Sequence, residues 1–270
     1  MMRIGVFDSG LGGLTVLKEL VKQLPNLSFI YFADTANCPY GPKPTNEIIA
    51  LSKRITEFLI SKKCQAIVVA CNTATASAID YLREHYNIPF VGMEPAIKPA
   101  ALATSTKSIG VLATKGTFNG RLYRETTSKY AANVNVTYQI GEGLVELVEQ
   151  GKSTSNQALE LLAEYINPMV DNNIDHLVLG CTHYPFFTPL LRKILPEGVR
   201  IVNPAPAVAK QTKRILQQRN KEELVCKDTL PSVHFYSSGK ISTLKMLVNE
   251  IEKDNGTFQN KQFFENISLG

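Results

Sequence analysis

The chain is written twice, and each copy carries a cysteine to the same point. Gln65-Ala66-Ile67-Val68-Val69-Ala70-Cys71-Asn72-Thr73 and Asp175-His176-Leu177-Val178-Leu179-Gly180-Cys181-Thr182-His183 share one grammar: an apolar run, a small residue, Cys, then polar side chains opening a helix-like stretch. Cys181 follows Cys71 by 110 residues, and other segments recur at nearly that offset. Arg3-Ile4-Gly5-Val6-Phe7 returns as Ser108-Ile109-Gly110-Val111-Leu112, 105 residues on; residues 27–32 return at 134–139, and 88–96 at 199–207. Four matched elements in one order predict two similar half-molecules. Facing each other across a pseudo-two-fold axis, such halves bring two thiols to one centre from opposite sides.

The element pattern fixes the class. Short apolar β-branched runs alternate with longer stretches of helical period, which predicts parallel strands joined by crossover helices. Strands are expected at 4–7, 29–32, 66–70 and 90–92, then at 109–112, 134–138, 176–179 and 200–202. Helices are expected at 14–23, 45–62, 74–85 and 117–130. A tail beyond the repeat holds a helix at 207–219, a strand at 233–236 and a helix at 242–251, and its simplest packing closes the first sheet. The expected fold is α/β: two similar, doubly wound parallel-sheet domains with the active site in the cleft between them. Residues 1–96 plus 207–270 form the first domain and 97–206 the second. Proline-rich segments at 95–99 and 204–206 are the hinges on which the cleft would open.

Composition narrows the function. At 270 residues the chain has room for two cores, and 44% apolar with 20% charged residues is a globular balance. No apolar run is long enough to span a bilayer and no leader is visible, so a cytoplasmic protein without membrane association is expected. Five cysteines at no framework spacing read as reduced thiols. The net charge of +5 comes from scattered residues, which argues against nucleic acid but suits a small anionic partner.

Cys71 and Cys181 both sit where a strand gives way to a helix, the edge at which parallel sheets bind ligands. Unpaired N–H groups there favour thiolate. A single such cysteine is more often a buried structural residue; two at matched repeat positions are not, whereas Cys38, Cys64 and Cys226 lack this context and read as structural. Asp8 and Ser9 end the first strand ahead of Gly10-Leu11-Gly12-Gly13. That turn lacks the third glycine of a dinucleotide motif and the lysine of a P-loop, leaving an anion nest for a carboxylate. Asp8 faces Cys71, either to orient a substrate ammonium or to manage the thiol proton. His183 is placed to partner Cys181. His85, His176 and His234 have no ligand spacing, and no metal is expected. The Asn37-Cys38-Pro39-Tyr40-Gly41-Pro42 loop reaches the same cleft, so its backbone and the Tyr40 hydroxyl are candidates for substrate contact.

Five motifs in order then resemble the glutamate racemases, cofactor-independent bacterial enzymes that supply D-glutamate for peptidoglycan. They are the segment from Phe7 to Thr15, Tyr31-Phe32-Ala33-Asp34 with Pro39-Tyr40-Gly41, Ala70-Cys71-Asn72-Thr73-Ala74, Gly92-Met93-Glu94-Pro95-Ala96, and Gly180-Cys181-Thr182-His183-Tyr184-Pro185. The resemblance implies that Cys71 and Cys181 are acid/base thiols, with Asp8 and His183 beside them. It implies that Asp8, Ser9, Tyr40, Gly41, Asn72, Thr73, Thr182 and His183 line the substrate site. A glutamate assisting the second thiol falls at Glu149; just before its helix, Gly141-Glu142-Gly143 departs from the Cys-Pro-like pair of many members. Implied too are L- and D-glutamate as partners, no cofactor and a homodimer. Donors on Ser9, Asn72, Thr73 and Thr182 would hold the carbanionic transition state. Two rivals remain from the residues alone: a Cys–His hydrolase acting through Cys181, and a two-lobed binding protein.

Overall fold

The computed structural model describes residues 2–94, 96–219, 231–255, 258 and 261–269. Cys226 and the hinge residue Pro95 lie outside them. Two all-parallel sheets form the scaffold. The first contains β1 (Arg3–Asp8), β2 (Ser28–Ala33), β3 (Ala66–Val69) and β4 (Phe90–Gly92) in the order β2-β1-β3-β4. The second contains β5 (Ser108–Ala113), β6 (Asn135–Ile140), β7 (His176–Gly180) and β8 (Arg200–Val202) in the order β6-β5-β7-β8. The two orders are the same, so the sequence repeat is a structural one. After the second sheet the chain returns: β9 (Ser232–Ser237) pairs with β2, and β10 (Lys261–Asn266) pairs with β9.

Burial on both faces explains the continuous apolar strands. Every residue of β2, β3, β5 and β7 is buried. Helices cover these faces with apolar stripes. On α1 (Leu14–Gln23) the stripe is Leu14, Val16, Leu17, Leu20 and Val21, each worth about 1.5–3 kcal/mol of burial. Three further helices follow the first sheet's strands: α2 (Thr45–Ser61), α3 (Asn72–His85) and α4 (Ile97–Ala103). In the second half come α5 (Lys115–Asn119), α6 (Arg121–Tyr130), α7 (Leu144–Glu149), α8 (Asn156–Asp171) and α9 (Thr188–Ile194). The tail adds α10 (Ala205–Arg219) and α11 (Ile241–Asn255).

The helix expected at 117–130 is two helices, broken at Gly120. The break lets the chain lie against α3, where a Cβ on Gly120 would stand 2.6 Å from that of Ala76. Arg121, just past the break, reaches Asp80 of α3 at 2.8 Å, tying the halves together.

At the N-terminal end of β7, Asp175 holds the chain entering β5. It accepts hydrogen bonds from Thr104 Oγ1 (2.7 Å), from Ser105 N (2.6 Å) and Oγ (2.9 Å), and from Thr106 N (3.1 Å). His176 Nδ1 lies 2.7 Å away. Partial burial works against the charge, but these donors outweigh it and hold the carboxyl well below the usual carboxylate range. A depressed value stabilises the fold above the unfolded pKa of about 4 and ceases to do so as pH falls toward the folded value. Asp175→Asn is therefore expected to cost about 1–3 kcal/mol at pH 7. Urea titrations should show the gap from the parent narrowing below about pH 4; a gap that widens there would contradict this origin.

Candidate active site

β3 ends at Val69, and two residues later Cys71 is the N-cap of α3. Its sulfur accepts the Ala74 N–H at 3.4 Å, and its S–H points to Ser9 Oγ at 3.6 Å. Ser9 follows Asp8, which ends β1 and is wholly buried. Asp8 accepts the Gly13 N–H on Oδ2 at 2.8 Å and faces the Thr182 hydroxyl at 3.5 Å. Gly13 must be glycine for this approach, since a Cβ there would lie 2.7 Å from Cβ of Asp8 and 3.0 Å from the Tyr31 hydroxyl.

The second half repeats the arrangement with different partners. Cys181 follows β7, and its sulfur lies 3.7 Å from His183 Nδ1. The other ring nitrogen, Nε2, lies 2.7 Å from Glu149 Oε1 and 3.2 Å from Gly12 N. A protonated Nε2 donates to Glu149, and a bare one accepts from Gly12, so the ring has a partner in either state. Glu149, at the end of α7, is itself fixed by the Leu11 N–H at 2.6 Å. The Gly10–Gly13 turn is thus not an open anion nest. Its Leu11 N–H is taken by Glu149 from the facing half and its Gly13 N–H by Asp8 from its own, while the Gly12 N–H lies 3.2 Å from His183 Nε2.

Both thiols line one cavity. Ser9, Tyr40, Gly41, Asn72, Thr73, Thr182 and His183 line it too. Asp8 and Glu149 do not line it; they stand behind it, touching the residues that do. Tyr40 contributes its ring, while its hydroxyl donates to Asp34 at 2.5 Å and turns away from the candidate contact. Asn72 is almost fully buried with both amide atoms unpartnered, an arrangement that calls for a polar ligand. Only about 10 Å³ of the cavity is open, space for roughly one water.

Three residues were missed. Thr114 lines the cavity and shares hydrogen bonds with Thr73 (2.8 Å) and Thr117 (2.9 Å); Thr117 donates to the Gly180 carbonyl at 3.2 Å. The repeat held the signal, because Thr114 follows β5 as Ser9 follows β1. Val145 of α7 adds an apolar wall, with no local sequence cue. Cys38, read as structural, packs beside His183 and Glu149, with the three donor atoms within 4.8 Å of one another. His183 and Glu149 bond each other and the Gly10–Gly13 turn, with the Cys38 thiol beside them.

The family described as Asp/Glu/Hydantoin racemase matches residues 4–212. The glutamate racemase of Herpetosiphon aurantiacus is 48% identical over 213 residues, covering 79% of this chain and 84% of that protein. The chain belongs to the glutamate racemase family. The Pseudomonas putida glutamate racemase is 42% identical over 260 residues, 96% of this chain and 97% of that one. Among solved structures, glutamate racemase isoform RacE1 of Bacillus anthracis superposes with a TM-score of 0.85 at 32% identity, covering 99% of this chain and 98% of its own. The Francisella tularensis glutamate racemase, solved in complex with D-glutamate, gives 0.82 at 32% identity over 99% and 98%.

Glutamate racemase homology makes this chain an isomerase, and its two thiols sit in unequal fields. Burial, and then the nearby charge of Asp8, push the Cys71 thiol up, against the Ala74 and Ser9 hydrogen bonds. Asp8 is itself raised by burial, with His183 pulling the other way. For His183, burial opposes the charge, but Cys181, Cys38 and Glu149 overcome it and hold the ring's pKa well above the ordinary histidine value. Cys38 is pushed up to about 12 by burial and stays a thiol.

Proposed function

We propose that the enzyme interconverts L- and D-glutamate by a two-base mechanism, with Cys71 and Cys181 on opposite faces of the α-carbon. The observation that carries this reading is that repeat-equivalent thiols wall a single cavity whose other polar lining is Ser9, Asn72, Thr73, Thr114, Thr182 and His183, with no Lys, Arg, Asp or Glu. Glutamate in the names of the relatives, and D-glutamate bound in the Francisella structure, support the choice of substrate.

In the resting cavity Cys71 is the thiol, and the His183 ring beside the Cys181 sulfur holds its proton well above the ordinary histidine value. Cys181 removes the α-proton from one face. Cys71 then delivers its own proton to the other face, and the two sulfurs have exchanged protonation states. The opposite enantiomer runs the same path in reverse. Hydroxyl and amide donors from Ser9, Asn72, Thr73 and Thr182 stabilise the charge that builds on the substrate carboxylate. Asp8 orients the ammonium or the Cys71 proton, and Glu149 holds the His183 charge. The near-closed cavity excludes water while the carbanion exists. It must open for glutamate to enter, by movement between domains 1–96 plus 207–270 and 97–206.

A cytoplasmic homodimer that supplies D-glutamate to peptidoglycan completes the proposal, with sedimentation to check the dimer. Among the described residues no helix is long and apolar enough to cross a membrane. The decisive test is incubation with L-glutamate in D₂O without added cofactor. Loss of optical activity with deuterium at the α-carbon is expected; intact L-glutamate carrying no deuterium would overturn the reading.

A further inference from the structure

A second cavity, of about 310 Å³, opens between the two halves beside the first. Its wall from the first half is the 41–48 segment with Ala76 and Ser77 of α3; the wall from the second is Lys115 to Arg124. Four cations line it, Lys43, Lys115, Arg121 and Arg124, and no Asp or Glu does. The carboxylates that engage Lys43 and Arg121, namely Glu47, Asp80 and Glu125, stand outside the lining. Lys115 and Arg124 form no ion pair among the described residues. A solvated helix face mixes both signs. A cleft walled by one sign instead focuses its field on whatever enters.

The floor of this crevice is closely packed. A Cβ on Gly116 would lie 2.6 Å from Thr73 Cγ2, and one on Gly120 would lie 2.6 Å from Cβ of Ala76. Gly41 lines both this crevice and the thiol cavity. A ligand held here would therefore touch both halves and the loop that walls the thiols.

We propose that the crevice binds a small phosphate-bearing anion that bridges the two halves and restrains their opening. An arginine fork and lysine point charges lining one crevice suit phosphate oxygens, and the volume falls in the range of ordinary small-molecule sites. The restraint on opening rests on the racemase reading; the binding does not.

Calorimetric titration of the full chain with inorganic pyrophosphate at low ionic strength tests the binding alone. One site is expected, and Lys115→Glu/Arg124→Glu should weaken it by roughly 100-fold, a factor of about ten for each reversed charge. Lys152→Glu/Lys193→Glu makes the same net change elsewhere and should weaken it far less. Lys115→Ala/Arg124→Ala, with an unchanged melting temperature, guards against a folding defect and should also lose affinity. Saturating pyrophosphate is expected to change kcat without competing with glutamate. Equal binding by parent and charge-reversed chains, equal weakening by the control pair, tighter binding of citrate than of pyrophosphate, or displacement by glutamate would each overturn the assignment.

Discussion

Cys71→Ser and Cys181→Ser are each expected to lower kcat for interconversion by about 10²–10⁴-fold, the usual share of a positioned acid or base. Serine preserves the shape of either site, including the Ala74 N–H contact and the approach to His183. What it removes is the sulfur that accepts and returns the α-proton. Because one reaction needs both sulfurs, the double variant should be little worse than either single one. The two single variants should differ in which enantiomer still exchanges its α-proton in D₂O, since each keeps the base on only one face. Substantial interconversion by Cys71→Ser would contradict the two-base mechanism.

His183→Asn is expected to lower kcat by about 10²-fold, with Glu149→Gln producing a smaller loss in the same sense. The order follows from contact: His183 faces the Cys181 sulfur, whereas Glu149 reaches it only through the ring. The sign of the pH effect is fixed by the same geometry. A ring held above its unfolded value of about 6.5 lends stability that is fully present below that pH and is lost as pH rises through the folded value. Without the Glu149 charge the imidazolium is given up at lower pH. The alkaline limb of kcat in Glu149→Gln should therefore move to lower pH, and its stability deficit should be larger at pH 6 than at pH 9. An unmoved limb, or a deficit that grows with pH, would assign Glu149 a packing role only.

The architecture could be read from the chain because its central strands are buried on both faces and so appear as unbroken apolar runs. The expected strands lie within two residues of the observed ends at both termini of β1, β2, β5 and β7. Strand β10 escaped notice because it is an edge strand with only Phe263 and Phe264 between polar residues, a run too short to stand out. The single helix expected at 117–130 failed for a related reason: α6 has no buried residue, so its spacing reflects no core-facing stripe. At the site, Ser9, Cys71, Thr114 and Cys181 line the cavity just past strand ends at positions the repeat marks. The supporting contacts are not so marked. Glu149 reaches Leu11 across 138 residues of sequence, and His183 reaches Gly12 across 171. Such pairings arise only when two halves close on each other, and no local pattern announces them.

The two sulfurs are related by the fold but not by their neighbours: Cys71 has a serine hydroxyl and a helix N–H, Cys181 an imidazole backed by a carboxylate. Mirror-image substrates have equal free energies in water, so the equilibrium constant between them is one whatever the protein does. The unequal pair therefore cannot favour a product at equilibrium. It can only distribute the cost between holding an enantiomer and transforming it. Any preference in KM for one hand must return as an equal factor in kcat, and the two specificity constants must coincide.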